Sequence, residues 1–146
     1  MTKVLLLSVK PRFARAILEG RKTIEVRRKF PDLPPGTVVV LYSTSPERAV
    51  VGTVRLKQTF RVAPNDVWES YANNIDIDKN ALSEYLEGVV ESTLLEVEAP
   101  EIWEQPVRLR ALREMLGIEP PQSFRYLAPE QVDLMRSSIV SVGGAV

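Results

Sequence analysis

The hydrophobic and polar positions of the N-terminal region change from a strand pattern to a helical one. Residues 3–9 form a short, mostly apolar run, which predicts a buried strand. Pro11 then stands where a helix would begin, because the first helical turn does not need the N–H that proline lacks. The apolar positions that follow recur on one helical face: Phe13, Ala14, Ile17 and Leu18. Gly20 is placed to end this helix, since glycine adopts a positive φ at little cost.

Strand patterns dominate the next part of the chain. Three strands are predicted, over residues 22–28, 37–42 and 49–56. A proline-rich loop, residues 31–36, separates the first two. The polar link 43–47 is short enough for the last two to be antiparallel neighbours. Gly52 lies inside a strand pattern, which predicts a sharp bend or the close approach of another backbone.

The second half mixes both patterns. Helices are predicted after Pro64, over residues 80–86 and over Pro129–Met135, and a strand over residues 93–98. Residues 107–112 fit either a further strand or the entry to a short helix that ends near Gly117, and the pattern does not decide between them. Five or six strands, mostly antiparallel, with two to four helices indicate an α+β domain rather than a doubly wound sheet. The 146 residues fit one domain, predicted over residues 1–138, with residues 139–146 as a loose tail.

Composition removes several kinds of chemistry. The chain contains no cysteine and no histidine, which excludes disulfides, thiolate nucleophiles and the serine or cysteine mechanisms that need a histidine base. Any reaction must use Lys, Asp, Glu, Ser, Thr or Tyr, and we predict neither a metal site nor a cofactor. The N-terminal apolar run is too short for a membrane span or a signal peptide, so we expect a cytoplasmic protein without membrane contact.

Charge is distributed unevenly although the formal net charge is zero. Residues 1–62 hold 13 Lys and Arg against 4 Asp and Glu, and the remaining residues hold 6 basic against 15 acidic side chains. A basic segment of this size could present a positive surface to nucleotide phosphates. Alternatively, the two halves interleave in one domain and neutralise each other. We favour the first interpretation because the basic residues also cluster locally.

The segment from Gly20 to Arg27 carries a family resemblance. Its sequence, GRKTIEVR, has the form G-x-K-x-x-E-x-R directly after an amphipathic helix, which resembles the signature of the ASCH family, a branch of the PUA-like superfamily. The resemblance extends to further segments: residues 8–11, 41–46, 51–52 and 120–127. It implies a mixed, mostly antiparallel PUA-like β-barrel of five to six strands flanked by helices.

The motif itself predicts a cleft. Glu25 and Arg27 are two apart on a strand, so their side chains leave the same face roughly 6–7 Å apart. They can pair with each other and order a barrel rim, or bind two edges of one ligand. Lys22 follows a glycine closely enough to point into the same cleft. Further cations lie nearby in the sequence: Lys10, Arg21, Arg28 and Lys29.

The predicted nucleic-acid contacts extend beyond the motif. They are Lys10, Arg21, Lys22, Glu25, Arg27, Tyr42, Ser43 and Ser45. Tyr42 could stack on a base or belong to the core. Ser43, Thr44 and Ser45 could donate to a phosphate or cap the turn. Arg28 and Lys29, before the proline-rich loop, are interpreted as solvated charges.

The family resemblance implies RNA binding with a regulatory role, but also two kinds of enzyme, and the motif residues themselves leave a third reaction open. Some small ASCH proteins are amidohydrolases that deacetylate acetylcytidine with a Lys, a Thr nucleophile and a Glu. Lys22 matches the lysine, but Glu25 stands at the position of the threonine. The glutamate of these enzymes corresponds to residues 71–74, which contain no carboxylate. If catalysis occurs, Glu25 could activate water while Lys22 stabilises an oxyanion. Other members are linked to metal-dependent ribonuclease activity. However, Asp76 and Asp78 are predicted to cap the following helix rather than to bind a metal.

The prediction from the sequence is therefore a domain that binds RNA or a modified nucleotide in a basic cleft. An amidohydrolase or nuclease acting on a modified nucleoside or RNA is the first alternative. The second alternative is a protein-interaction module that docks through its acidic C-terminal half.

Overall fold

The structure, a computed structural model, describes residues 3–144, and side chains as far as Ser137. Its strands are β1 (Val4–Val9), β2 (Ile24–Arg27), β3 (Val38–Ser43), β4 (Ala49–Val62), β5 (Ser92–Arg108) and β6 (Phe124–Leu127). Its helices are α1 (Pro11–Leu18), α2 (Pro64–Ile75), α3 (Lys79–Tyr85), α4 (Leu109–Leu116) and α5 (Pro129–Gly144).

The six strands form one curled sheet in the order β2-β5-β4-β3-β1-β6. Only β1 and β3 run parallel among the paired strands, because α1 and β2 intervene between them in the chain. The long β4–β5 ladder shifts register at three places, and such bulges bend and twist a sheet. The predicted α+β fold, mostly antiparallel and PUA-like, is confirmed as a half-barrel with β2 and β6 at its two edges.

Several boundaries differ from the pattern-based expectation: β2 is shorter than the predicted residues 22–28, and β4 and β5 extend beyond the predicted ends at residues 56 and 98. Residues 107–112 contain both predicted alternatives, since β5 ends at Arg108 and α4 begins at Leu109. Helix α5 extends to Gly144, so the backbone of residues 139–144 is helical where a loose tail is predicted, while Ala145 and Val146 lie outside the described residues. The domain boundary at residue 138 stays a prediction.

The sheet separates the apolar side chains into three clusters. Strand β1 contributes to two of them, because Leu5 and Leu7 pack with α1 on one face while Val4 and Leu6 pack with α4 and α5 on the other. This explains why residues 4–9 form a nearly continuous apolar run. The third cluster places α2 and α3 against β2, and it fixes the strand that carries the motif.

The acidic and basic halves of the chain interleave within the sheet. The acidic strand β5 lies between β2 and β4, and Glu98 is opposite Arg55 in the register. Glu96 Oε1 accepts a hydrogen bond from Gln58 at 2.7 Å, and Arg136 pairs with Glu101 at 2.8 Å. Among the described side chains, the ion pairs that join the two halves are Lys57 with Glu96 at 3.9 Å and Arg21 with Asp76 at 3.3 Å, so the charge asymmetry along the sequence is neutralised only in part.

Gly52 is needed for the close approach of two backbones. A Cβ at this position would lie 2.2 Å from the carbonyl oxygen of Glu101 and 2.9 Å from Leu18 Cδ2. We therefore expect Gly52→Ala to lower the free energy of unfolding by about 3 kcal/mol, as for severe overpacking, measured by urea denaturation. Adding Leu18→Ala should not restore stability, because the carbonyl oxygen still obstructs the Cβ. Parent-like stability of Gly52→Ala would contradict this explanation.

Candidate nucleic-acid interface

The motif side chains meet in one charged network. Glu25 lies at its centre: Oε2 is 2.9 Å from Arg27 Nε, and Oε1 is 3.5 Å from Lys22 Nζ. Lys22 also donates to the carbonyl oxygen of Ile75, and its ammonium lies 4.8 Å from the ring centroid of Phe13. One carboxylate is thus shared by two cations that α1, α2 and β2 hold in place.

The network is enclosed rather than open. The side chain of Lys22 is 2% exposed, that of Glu25 9% and that of Arg27 12%. Burying charges in this way is costly unless they are paired, and here each has at least one partner. Direct contact between Lys22 and a ligand is therefore sterically restricted.

Arg27 connects β2 to the opposite edge of the half-barrel. Its Nη2 donates to the carbonyl oxygen of Ser8 at 2.8 Å, and its Nη1 donates to Ser123 Oγ at 3.4 Å. Ser8 in turn donates from its backbone N–H to the Ser123 carbonyl oxygen at 2.9 Å and from Oγ to the Pro121 carbonyl oxygen at 2.7 Å. The segment before β6 consequently covers the network, with Arg27 bridging the two sheet edges.

Burial changes the protonation equilibrium of Lys22. Desolvation lowers the pKa of its ammonium, and the charge and hydrogen bond of Glu25 partly oppose this shift. Lysines perturbed in this way occur at functional sites, although structural ion pairs produce them too. The position of Lys22 is therefore compatible with a reactive or a positioning role.

Exposed cations surround the network at the N-terminus of α1. A cavity of about 480 Å³ is lined by Pro11, Arg12, Arg15, Arg21 and Asp76. Arg21 pairs with Glu19 at 2.7 Å and with Asp76 at 3.3 Å, whereas Arg15 makes no ion pair among the described side chains. Lys10, the N-cap residue of α1, is exposed. These groups are accessible to an anion while Lys22 is not.

Asp76 belongs to this site, contrary to its predicted role as a helix cap. Asp78 is the cap of α3, because its Oδ1 accepts from the backbone N–H of Ala81 at 2.8 Å. Asp76 instead ends α2 in the left-handed conformation, with φ of 48°, and its carboxylate pairs with Arg21. The prediction for Asp76 is wrong because two aspartates, two residues apart, both precede the helix and give the same local signal.

Tyr42, Ser43 and Ser45 are not brought to the network. Tyr42 packs in the cluster with α4, and burial raises its pKa while Arg113 and Arg48 lower it. Ser43 is fully buried, and its Oγ has no hydrogen-bond partner among the described residues. Ser45 is exposed in the turn after β3. The structure thus favours the core alternative for Tyr42, and contacts of the three with a ligand stay predictions.

Tyr85 is an exposed aromatic residue that the sequence patterns do not identify. It ends α3 and is 39% exposed. Burial of its hydroxyl raises its pKa, and the charges of Arg27 and Glu25 lower and raise it, respectively. Its carbonyl oxygen accepts from Arg28 Nη1 at 2.7 Å. Arg28 thus fixes the backbone at Tyr85, and the partly exposed ring offers a surface on which a base can stack.

Two further features are absent from the part of the chain that the structure describes. Among those residues, no three Asp or Glu side chains come together as potential metal ligands. No helix there is long and apolar enough to cross a membrane.

The curled sheet and its motif strand define an α+β domain of the PUA-like type. The ASCH domain model matches residues 7–105, and the chain belongs to this family. An ASCH domain-containing ribonuclease from Zymomonas mobilis is 30% identical over 138 residues, which cover 92% of this chain and 91% of the relative.

Solved structures agree with this assignment. ASCH from Zymomonas mobilis matches with a TM-score of 0.86 and 28% identity, over 92% of this chain and 94% of that one. Human THYN1 in complex with DNA containing 5-methylcytosine matches with a TM-score of 0.58 and 12% identity, over 93% and 96% of the two chains. The second likeness concerns the fold alone.

Proposed function

We propose that this protein binds single-stranded RNA at the edge of the Lys22–Glu25–Arg27 network. The observation that supports this most directly is that partly exposed Tyr85 is held through its carbonyl oxygen by Arg28, which follows Arg27 of the charged network, with a separate arginine-lined cavity at α1. Stacking platforms combined with cationic surfaces are how proteins bind single strands. The ribonuclease relative, which acts on RNA by its name, supports the same ligand class.

In this proposal the buried and exposed charges have different tasks. Lys22 is too buried to contact a phosphate, so it holds Glu25 in place. Glu25 and Arg27 are also largely enclosed, at 9% and 12% exposed, so they shape the wall beside Tyr85 without contacting a base themselves. Phosphates are contacted by the exposed cations of the α1 cavity, of which Arg15 has no ion-pair partner among the described residues.

The salt dependence of RNA affinity tests whether the exposed cations, and not the buried ones, contact phosphates. We expect binding of a short single-stranded RNA to weaken with salt, and Arg15→Ala to reduce the slope of log K against log salt by about 0.7, the value for one phosphate contact on a single strand. Lys22→Met should change affinity but leave the slope unchanged. Fluorescence anisotropy at several salt concentrations measures both, with Lys57→Ala as an exposed-cation control on β4. Absence of salt-dependent binding would refute the proposed function.

Ribonuclease activity is the second candidate, and the observation favouring it is the 30% identical ribonuclease relative. If cleavage uses the RNA 2′-hydroxyl, single-stranded RNA should be cut while DNA of the same sequence stays intact. Glu25 and Lys22 stay the predicted catalytic residues. RNA that remains intact during prolonged incubation, with binding retained, would leave only the binding function.

The other two alternatives gain no support from the site. Thr23, a hydroxyl near the motif, accepts from Asn74 Nδ2 at 3.2 Å, and residues 71–74 carry no carboxylate for the amidohydrolase arrangement. The acidic residues of β5 are interleaved with basic partners instead of forming a separate docking surface.

A further inference from the structure

The two edge strands of the half-barrel leave a cleft between them. β2 and β6 do not pair in the sheet, and the space beside them, about 520 Å³, is bordered by both strand ends. We call it the seam cleft; it is lined by Arg28, Lys29, Phe30, Pro31, Arg61, Glu91, Thr93 and Phe124. It therefore combines cations with an aromatic wall, outside the network described above.

Strand β6 supplies an exposed aromatic ring next to this cleft. Phe124 and Tyr126 are two apart on β6 and share one face. Phe124 is anchored against buried Phe30, with 4.6 Å between ring centroids, and meets Tyr126 edge-on at 6.0 Å. Tyr126 is 41% exposed, and Lys3 Nζ lies 4.8 Å from its ring centroid. A partly exposed ring is thus held by a packed neighbour and accompanied by a cation.

Arg28 links the seam cleft to Tyr85. Its Nη1 donates to the carbonyl oxygens of Tyr85, at 2.7 Å, and Glu87, at 3.3 Å. Nε and Nη2 of this exposed guanidinium make no hydrogen bond among the described residues. Lys29, the next residue, is also exposed. Arg28 and Lys29, interpreted from the sequence as solvated charges, therefore line the seam cleft together with Phe124, the neighbour of Tyr126, and Arg28 also contacts the backbone of Tyr85.

Carboxylates oppose this positive surface only in part. Asp32 pairs with Arg61 at 3.1 Å, so that arginine is largely neutralised. Glu91 also lines the cleft, opposite Arg28 and Lys29, neither of which forms an ion pair among the described side chains. Three cations, Arg28, Lys29 and Arg61, thus face two carboxylates, Asp32 and Glu91, which leaves one cation in excess. Lys3 adds another cation beside Tyr126.

We propose that a single strand of RNA follows the seam cleft from Tyr85 to Tyr126, stacking bases on the two tyrosines and placing phosphates against Arg28 and Lys29. This inference rests on the proposed function and extends it from a site for one base to a track for several nucleotides. Alternating rings and cations suit a single strand, whose bases are free to stack. Bases in an RNA duplex are already stacked and paired, so a duplex should bind more weakly.

Oligonucleotide length separates the track from the single-base site. We expect affinity to rise from oligomers of about 2 nucleotides to those of about 8, because only the longer ones reach Tyr126. Tyr126→Ala should weaken the longer oligomer about tenfold and leave the shorter one unchanged, as expected for one lost stacked base. Tyr126→Phe, which keeps the ring, should bind like the parent, and Ile102→Ala is the control for truncating an exposed apolar side chain elsewhere.

The cations give an independent measurement. The double variant Arg28→Ala, Lys29→Ala should reduce the salt slope for the longer oligomer by about 1.4, that is, about 0.7 for each phosphate contact. Thermal melting confirms that each variant is folded. If RNA binds but affinity is independent of length and insensitive to Tyr126→Ala and to the double variant, the track is refuted while the proposed function stands. If no RNA binds at all, both fail.

Discussion

Replacing Glu25 with alanine is expected to lower the free energy of unfolding by about 3–5 kcal/mol, because a buried charge pair is broken by removal of one partner. Glu25 is the only carboxylate within ion-pair distance of Lys22 and Arg27 among the described side chains. Its loss leaves an almost completely buried ammonium with the Ile75 carbonyl oxygen and the Phe13 ring as its remaining partners. Urea denaturation measures the loss.

Companion variants show whether the missing charge is the cause. Lys22→Met alone should cost less than Glu25→Ala, because Arg27 still neutralises Glu25 at 2.9 Å. Combining Lys22→Met with Glu25→Leu should recover part of the stability lost in Glu25→Ala, because no buried ammonium is left without a carboxylate, while Arg27 keeps only its bonds to Ser8 and Ser123. Equal losses for all three variants would contradict the charge explanation and indicate a simple packing defect.

The same residues show which features could be predicted from the sequence. The shared face of Glu25 and Arg27 follows from the two-residue period of a strand, and it is observed. Their burial could not be predicted, since the groups that enclose them, Ile75 and Ser123, are 53 and 96 residues away in the chain from Lys22 and Arg27, respectively. Local pattern gives the direction of a side chain but not what the fold places over it.

Non-local pairing also explains the two other differences. The separation of charge along the sequence favoured a basic surface, but the strand order inserts acidic β5 between β4 and β2, so opposite charges become neighbours. Tyr85 was not identified because nothing near it in α3 indicates that its helix ends beside Arg28 of a distant strand segment. Whether an exposed aromatic side chain can take part in ligand binding depends on its neighbours in the fold, which the local sequence does not reveal.

Arg27 gives the second large effect that we expect. Arg27→Ala removes three hydrogen bonds at once, to Glu25, to the Ser8 carbonyl oxygen and to Ser123 Oγ. Its side chain is 12% exposed, so the partners left behind are poorly solvated and the free energy of unfolding should fall by about 3 kcal/mol. Urea denaturation measures the total, and affinity for the short RNA should fall as well if Arg27 shapes the wall beside Tyr85.

Further substitutions distinguish the role of the Arg27 hydrogen bonds, which link the two sheet edges, from the role of its positive charge. Arg27→Lys keeps a cation for Glu25, but an ammonium cannot reproduce the planar fork that reaches both sheet edges. We therefore expect it to retain part of the stability while the Ser8 amide, which donates to the Ser123 carbonyl oxygen at 2.9 Å, exchanges its hydrogen faster. Ser123→Ala should have a small effect, because it removes only the 3.4 Å bond. Unchanged exchange at Ser8 in Arg27→Lys would mean that β1 and β6 hold this edge without Arg27, and that the arginine acts through its charge alone.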